Sequence, residues 1–138
     1  MQRSVYLARL IGPVLVAIGV GMLANGPLFL VMANEGLHSY VLIYLSGVLT
    51  LTAGIALVLA HNEWVGDWRL IITLLGWLGI IGGTLRIVWP QEVVEIGMAV
   101  ITHAGTLMFA GIAVLVIGAV LSYFGYAETK PRRRRSRR

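Results

Sequence analysis

Two groups of residues in this chain have types and spacings that chemistry could use. The first is the stretch LAHNEWVGDWRL (59–70), which gathers His61, Asn62, Glu63, Trp64, Asp67 and Arg69 between two long apolar runs. The second is spread along the chain and comprises Glu35, His38, Arg86, Glu92, Glu95 and His103. A zinc-activated water would need the H-x-E fragment at His61 and Glu63 to be completed by a P-C-x-x-C motif, and the chain has no cysteine. His61 and Glu63 are two residues apart and do not share a helical face. A turn explains most of the first group. Asn62 and Gly66 are turn formers, Asp67 can cap the helix that follows, and Trp64 and Trp68 suit a membrane–water interface. The role left open for His61, Asn62, Glu63 and Trp64 together is contact with a partner.

In the second group, Glu95 and His103 are eight residues apart. A continuous helix would place them on one face about 12 Å apart, too far to share one ion. Gln91, Glu92 and Glu95 favour the positive N-terminal end of a helix. Arg86 is predicted to extend outward and pair with Glu35, Glu92 or Glu95. His103 is predicted to lie about one or two turns inside the last helix, buried and hydrogen-bonded. The sequence contains no Ser-His-Asp ordering, no spacer that could hold paired catalytic carboxylates and no phosphate loop. The expectation is a protein that is not an enzyme, with no catalytic, cofactor or metal site.

The elements that must position these residues are dictated by hydropathy. Of the 138 residues, 58% are hydrophobic and 12% charged, and mean hydropathy is +0.85, far above what a soluble domain of this length can bury. Four runs, near 10–31, 40–60, 69–89 and 94–123, are long enough to cross a hydrocarbon core of ~30 Å, which takes about 20 helical residues. The first is too long for a signal h-region, and Asn25-Gly26-Pro27 is a poor cleavage site.

Charge gives the orientation. Four spans put both ends of the chain on the side of the 61–68 turn. That side carries Arg3, Arg9, Arg69, Lys130 and the arginine-rich KPRRRRSRR, whereas NEGLHSY (34–40) and PQEVVEIG (90–97) carry acid and no Lys or Arg. The positive-inside rule therefore predicts cytoplasmic N- and C-termini. Aromatic belts are predicted from Trp64, Trp68, Tyr123, Phe124 and Tyr126 inside and from Phe29, Tyr40, Tyr44 and Trp89 outside. Trp77, near mid-span, needs a hydrogen-bond acceptor such as Thr73. No Asp, Glu, Lys or Arg falls near a span centre, where ion-coupled carriers keep one.

Slid against itself by 57 residues, the sequence aligns GVGMLANGPLFL (19–30) with GWLGIIGGTLRI (76–87), AGIA (53–56) with AGIA (110–113), and Glu35 with Glu92. This predicts an all-α integral membrane four-helix bundle, built within residues 1–126 from two parallel two-helix hairpin repeats at about 10–60 and 69–124. Small residues at spacing four should mediate its packing: Ser46, Thr50 and Gly54; Gly79 and Gly83; Ala17 and Gly21. Residues 127–138 are predicted to be a disordered tail that attracts anionic lipid headgroups rather than nucleic acid.

The run HNEWVGDWRLIITLLGWLGIIGGTLRI (61–87) resembles that of small four-span bacterial inner-membrane proteins, chiefly through its HNEW and GW words. The resemblance implies a bacterial inner membrane and no particular activity. The function expected is that of a small structural or accessory subunit, packing with itself as a homo-oligomer or with another membrane protein. The alternative is an oligomeric channel or carrier for a neutral or weakly polar solute. Asn25 and the threonines discriminate between them: lined up on one face they would make a path, and dispersed between helices they would not.

Overall fold

The computed structural model describes residues 2–64, 66–103 and 105–127. They form six helices: α1 (Gln2–Ala24), α2 (Gly26–Leu37), α3 (Tyr40–Ala60), α4 (Arg69–Val88), α5 (Pro90–Thr102) and α6 (Thr106–Ala127). In α1, α3, α4 and α6 the chain has four helices long and apolar enough to cross a membrane. Most of their large side chains face outward; Val41, Leu59 and Phe109 are each more than three-quarters exposed. The arginine tail lies outside the described residues.

Two expected spans are each broken into a long and a short helix. The run predicted at 10–31 ends at Ala24, where Asn25 leaves the helical region (φ −128°, ψ 48°) and Pro27 opens α2. Trp89 makes the same break (φ −128°, ψ 62°) before Pro90 opens α5. A proline cannot donate to the preceding turn and is best accommodated at a helix start, although Pro13 lies inside α1, and Pro90 also drives Trp89 out of the α region. The run predicted at 94–123 is interrupted after Thr102 by Gly105, at φ +89°, a conformation that a residue with a Cβ rarely adopts. In the second half of the chain, as in the first, a short helix therefore joins two long ones.

The long helices pair as α1 with α6 and α3 with α4, both antiparallel. The pairing crosses the halves of the sequence, so the expected hairpins within 10–60 and within 69–124 are not the packing units. Each pair closes on glycines spaced seven residues apart: Gly12 and Gly19 on α1, Gly111, Gly118 and Gly125 on α6, Gly47 and Gly54 on α3, Gly76 and Gly83 on α4. Seven residues are about two helical turns, so each series stays on one face. A methyl group on Gly54 would lie 2.6 Å from the Ile80 amide nitrogen, and one on Gly118 would lie 2.6 Å from that of Val16. Of the ridges expected at spacing four, Gly54, Gly79 and Gly83 lie in a helix interface, whereas Ser46 and Ala17 are exposed and Gly21 packs on the Phe29 ring.

These contacts recur along the sequence at a separation of 64 residues. Gly19 meets Leu115 as Gly83 meets Leu51, and Gly12 meets Ser122 as Gly76 meets Val58. Gly111 meets Met22 and Leu23 as Gly47 meets Arg86 and Ile87. The offset of 57 falls short of this by one seven-residue glycine interval. A slip of that size still lays glycine on glycine, which is why 57 aligned Gly19 with Gly76.

At the 61–68 end the two pairs are joined by a small core of Ala8, Trp68, Ile72 and Leu121. At the other end, α2 and α5 pack together, with Leu37 seated against Gly97.

Alanine substitution should separate the two kinds of glycine. Gly54→Ala and Gly118→Ala should each destabilise the fold by about 1–3 kcal/mol, because backbone must part to admit the methyl. Gly36→Ala, with open space around it, should be neutral or stabilising by up to about 1 kcal/mol. Unfolding midpoints in detergent, followed by circular dichroism, would measure all three.

Candidate functional site

The 61–68 turn is bound into the bundle rather than left hanging in solvent. His61 ends α3 in an extended conformation and is only 4% exposed, and its Nδ1 shares a 3.2 Å hydrogen bond with the Oγ of buried Ser4 on α1. Its Nε2 is buried with no hydrogen-bond partner. Asn62 accepts the exposed Trp64 indole N–H at 2.9 Å. The Glu63 carboxylate takes Arg69 Nη1 at 3.3 Å, and the Glu63 carbonyl accepts the Thr73 hydroxyl at 3.1 Å. Thr73 is thereby engaged with the turn, and the expected hydrogen bond from Trp77 to it does not form. Asp67 accepts the Trp68 amide at 2.7 Å, beside Trp68 as the N-cap of α4.

Trp68 departs from the expected interfacial ring. It is 6% exposed, stacks on Phe124 of α6 with centroids 5.8 Å apart, and belongs to the small core. Trp64, 64% exposed, keeps the predicted place outside the bundle. The turn thus links both helix pairs, through Ser4 to α1 and through Phe124 to α6.

The outer group is not brought together. Glu35, Glu92 and Glu95 are exposed, and among the described residues the one ion pair is Arg69–Glu63. The predicted pairing of Arg86 with a carboxylate is absent. Its Nη1 instead donates to the Gly82 carbonyl one turn back in α4, at 2.9 Å. The side chain bends back along α4, while its Cβ lies over Gly47 in the α3·α4 interface. His103 is not inside a helix: it caps α5, is exposed, and donates from Nδ1 to the Ala99 carbonyl at 2.6 Å. His38 ends α2 in the same way, donating to the Asn34 carbonyl at 2.8 Å. Since α5 stops before His103, the shared helical face proposed for it and Glu95 is lost. No group of three or more His, Asp or Glu side chains able to hold a metal forms among the described residues.

The structure adds an open groove of about 540 Å³ lined by residues of α2, α3, α4 and α5. Its walls are apolar, with Leu37, Leu45, Leu49 and Ile101 prominent; Arg86 and Ser46 supply the polar side chains, and no carboxylate lines it. Ser46 is already engaged, its hydroxyl donating to the Ile43 carbonyl at 2.8 Å. The sequence singled out Arg86 but not this groove, which needs α2 and α5 to be separate helices folded over α3. The signal available was the pair of breaks at Asn25-Gly26-Pro27 and Trp89-Pro90.

The discriminating hydroxyls are scattered. Thr52 donates to the Val48 carbonyl and Thr84 to that of Ile80, each one turn back in its own helix, and Asn25 is exposed at the α1–α2 break. Neither threonine hydroxyl bonds to another helix.

No family model matches this chain, and no curated protein or solved structure matches it.

The Ser4–His61 contact makes a testable demand. Ser4→Ala should cost about 1–3 kcal/mol by leaving Nδ1 buried without a partner, whereas Ser4→Ala with His61→Leu should cost less than the single change. Thermal unfolding of the two variants in detergent would show the order.

Proposed function

We propose that this chain is a small integral membrane protein, structural or accessory and not an enzyme, that acts through helix packing with itself or with another membrane protein. The observation that carries the reading is the pair of glycine-lined interfaces, in which Gly54 and Gly118 admit no side chain. Construction of this kind holds helices rigidly against one another. The engagement of the Thr52 and Thr84 hydroxyls with their own helices gives no support to the second reading, a channel or carrier for a neutral solute.

In this reading the membrane is a bacterial inner membrane and both ends of the chain face the cytoplasm, supported by the charge asymmetry of the sequence. The halves are products of duplication, each a long helix, a short helix and a long helix, and the recurrence of contacts at 64 residues supports it. Such repeats would be parallel and related by a twofold axis along the membrane normal. They are interlocked, since each glycine interface takes one helix from each half. The arginine tail adds attraction to anionic headgroups of ~1 kcal/mol per basic residue near the surface.

Vesicle swelling tests the choice between scaffold and path. Phosphatidylcholine vesicles containing the protein should admit glycerol and urea no faster than protein-free vesicles. Accelerated or saturable entry would overturn the scaffold reading in favour of a carrier.

Orientation is tested separately, on a chain that has no native cysteine to interfere. Single cysteines at Glu35 and Glu92, both exposed, should react with an impermeant thiol reagent added to intact cells. One at Gly66 should react only after lysis, and the opposite pattern would reverse the topology.

A further inference from the structure

We infer that the groove beside Arg86 is a binding site for an anionic membrane phospholipid, whose phosphate is held by the Arg86 guanidinium and whose acyl chain lies on α3. The first support is the electrostatics of the groove. A guanidinium stays charged at any physiological pH and offers five N–H donors. Arg86 spends one of its nitrogens on the Gly82 carbonyl and faces no carboxylate, in a groove with apolar walls. A fixed positive charge in such a place selects an anion, and a planar fork suits the paired oxygens of a phosphate.

The second support is a control built into the chain. Met22 occupies the position 64 residues before Arg86 and packs on Gly111 as Arg86 packs on Gly47. Methionine satisfies that packing position without a charge, so helix packing does not account for the arginine. Met22 borders a different groove, of about 330 Å³, whose lining side chains are all apolar. The charge distinguishes one half of the molecule from the other.

The third support is access. Leu42, Leu45 and Leu49 line the groove, and each is also half or more exposed on the outer surface of α3. A ligand would therefore pass over leucines that face the lipid, which favours an amphiphile over a water-soluble anion. The volume of about 540 Å³ lies within the range of about 300–1,000 Å³ common for ligand sites.

Native mass spectrometry of the full chain in detergent micelles, with added phosphatidylglycerol or phosphatidylcholine, tests the inference. Wild type should retain one phosphatidylglycerol at least about tenfold more strongly than phosphatidylcholine, and Arg86→Met should bring the two within about twofold. The arginine tail is common to both proteins, so their difference reports on Arg86. Arg86→Met copies the residue found at position 22; if it nevertheless fails to fold, Leu49→Trp at the mouth should reduce retention of phosphatidylglycerol with Arg86 intact. Unchanged retention in the folded variants would overturn the inference, as would equal retention of phosphatidylcholine by wild type. Displacement of phosphatidylglycerol by millimolar inorganic phosphate would also overturn it, because the occupant would then be a small soluble anion.

Discussion

Between Gly54 and Ile80, and again between Gly118 and Val16, there is no room for a methyl group. Helices surrounded by apolar solvent gain little from burying apolar side chains against each other, so their association depends on close van der Waals contact. Backbone against backbone, repeated every seven residues, provides that contact along two whole helix pairs. The partition of the molecule follows. Large side chains are displaced to the outside, and the buried hydrophobic residues are few: Ala8, Ile43, Trp68, Ile72 and Leu121. Four of them form the junction between the pairs rather than a central core.

The same constraint fixes where polar residues can go. With the interfaces closed, the Thr52 and Thr84 hydroxyls return to their own helix carbonyls, and polar clusters form only where the glycine contacts run out. At one end that is the turn, with Ser4, His61, Glu63, Arg69 and Thr73. At the other, the groove under α2 and α5 holds two polar side chains, Arg86 and Ser46, between apolar walls.

Much of this was readable in the sequence. The spans at 40–60 and 69–89 correspond to α3 and α4 almost to the residue, because their boundaries are marked by turn formers and charge. The runs at 10–31 and 94–123 were read as continuous because hydropathy does not register backbone angles. For the run at 94–123, a 30-residue helix would be about 45 Å long, half as long again as a ~30 Å hydrocarbon core, and that excess length signalled a break; the run at 10–31 has no such excess. Glycine spacing was legible only in part: a search at spacing four finds Gly79 and Gly83 but passes over the seven-residue series that defines both interfaces. At the candidate sites, the burial of His61 and Trp68 was hidden because it comes from Ser4 and Phe124, each more than fifty residues away in the chain. The backward bend of Arg86 was hidden because its partner is a backbone carbonyl, that of Gly82, which no residue type announces.

The pairing of α1 with α6 also sets a timetable. Arg9 donates to the Gly125 carbonyl across 116 residues of sequence, so a chain made from its N-terminus has α1 in place long before its partner exists. The adjacent α3 and α4 can close as a hairpin as soon as they emerge, since short loops are entropically cheap to close. Until α6 arrives, α1 carries Gly12 and Gly19 on an unmatched face. Among the six described helices, the sixth to be synthesised is therefore the one that locks the first, and their assembly is committed only when nearly all the described chain has been made.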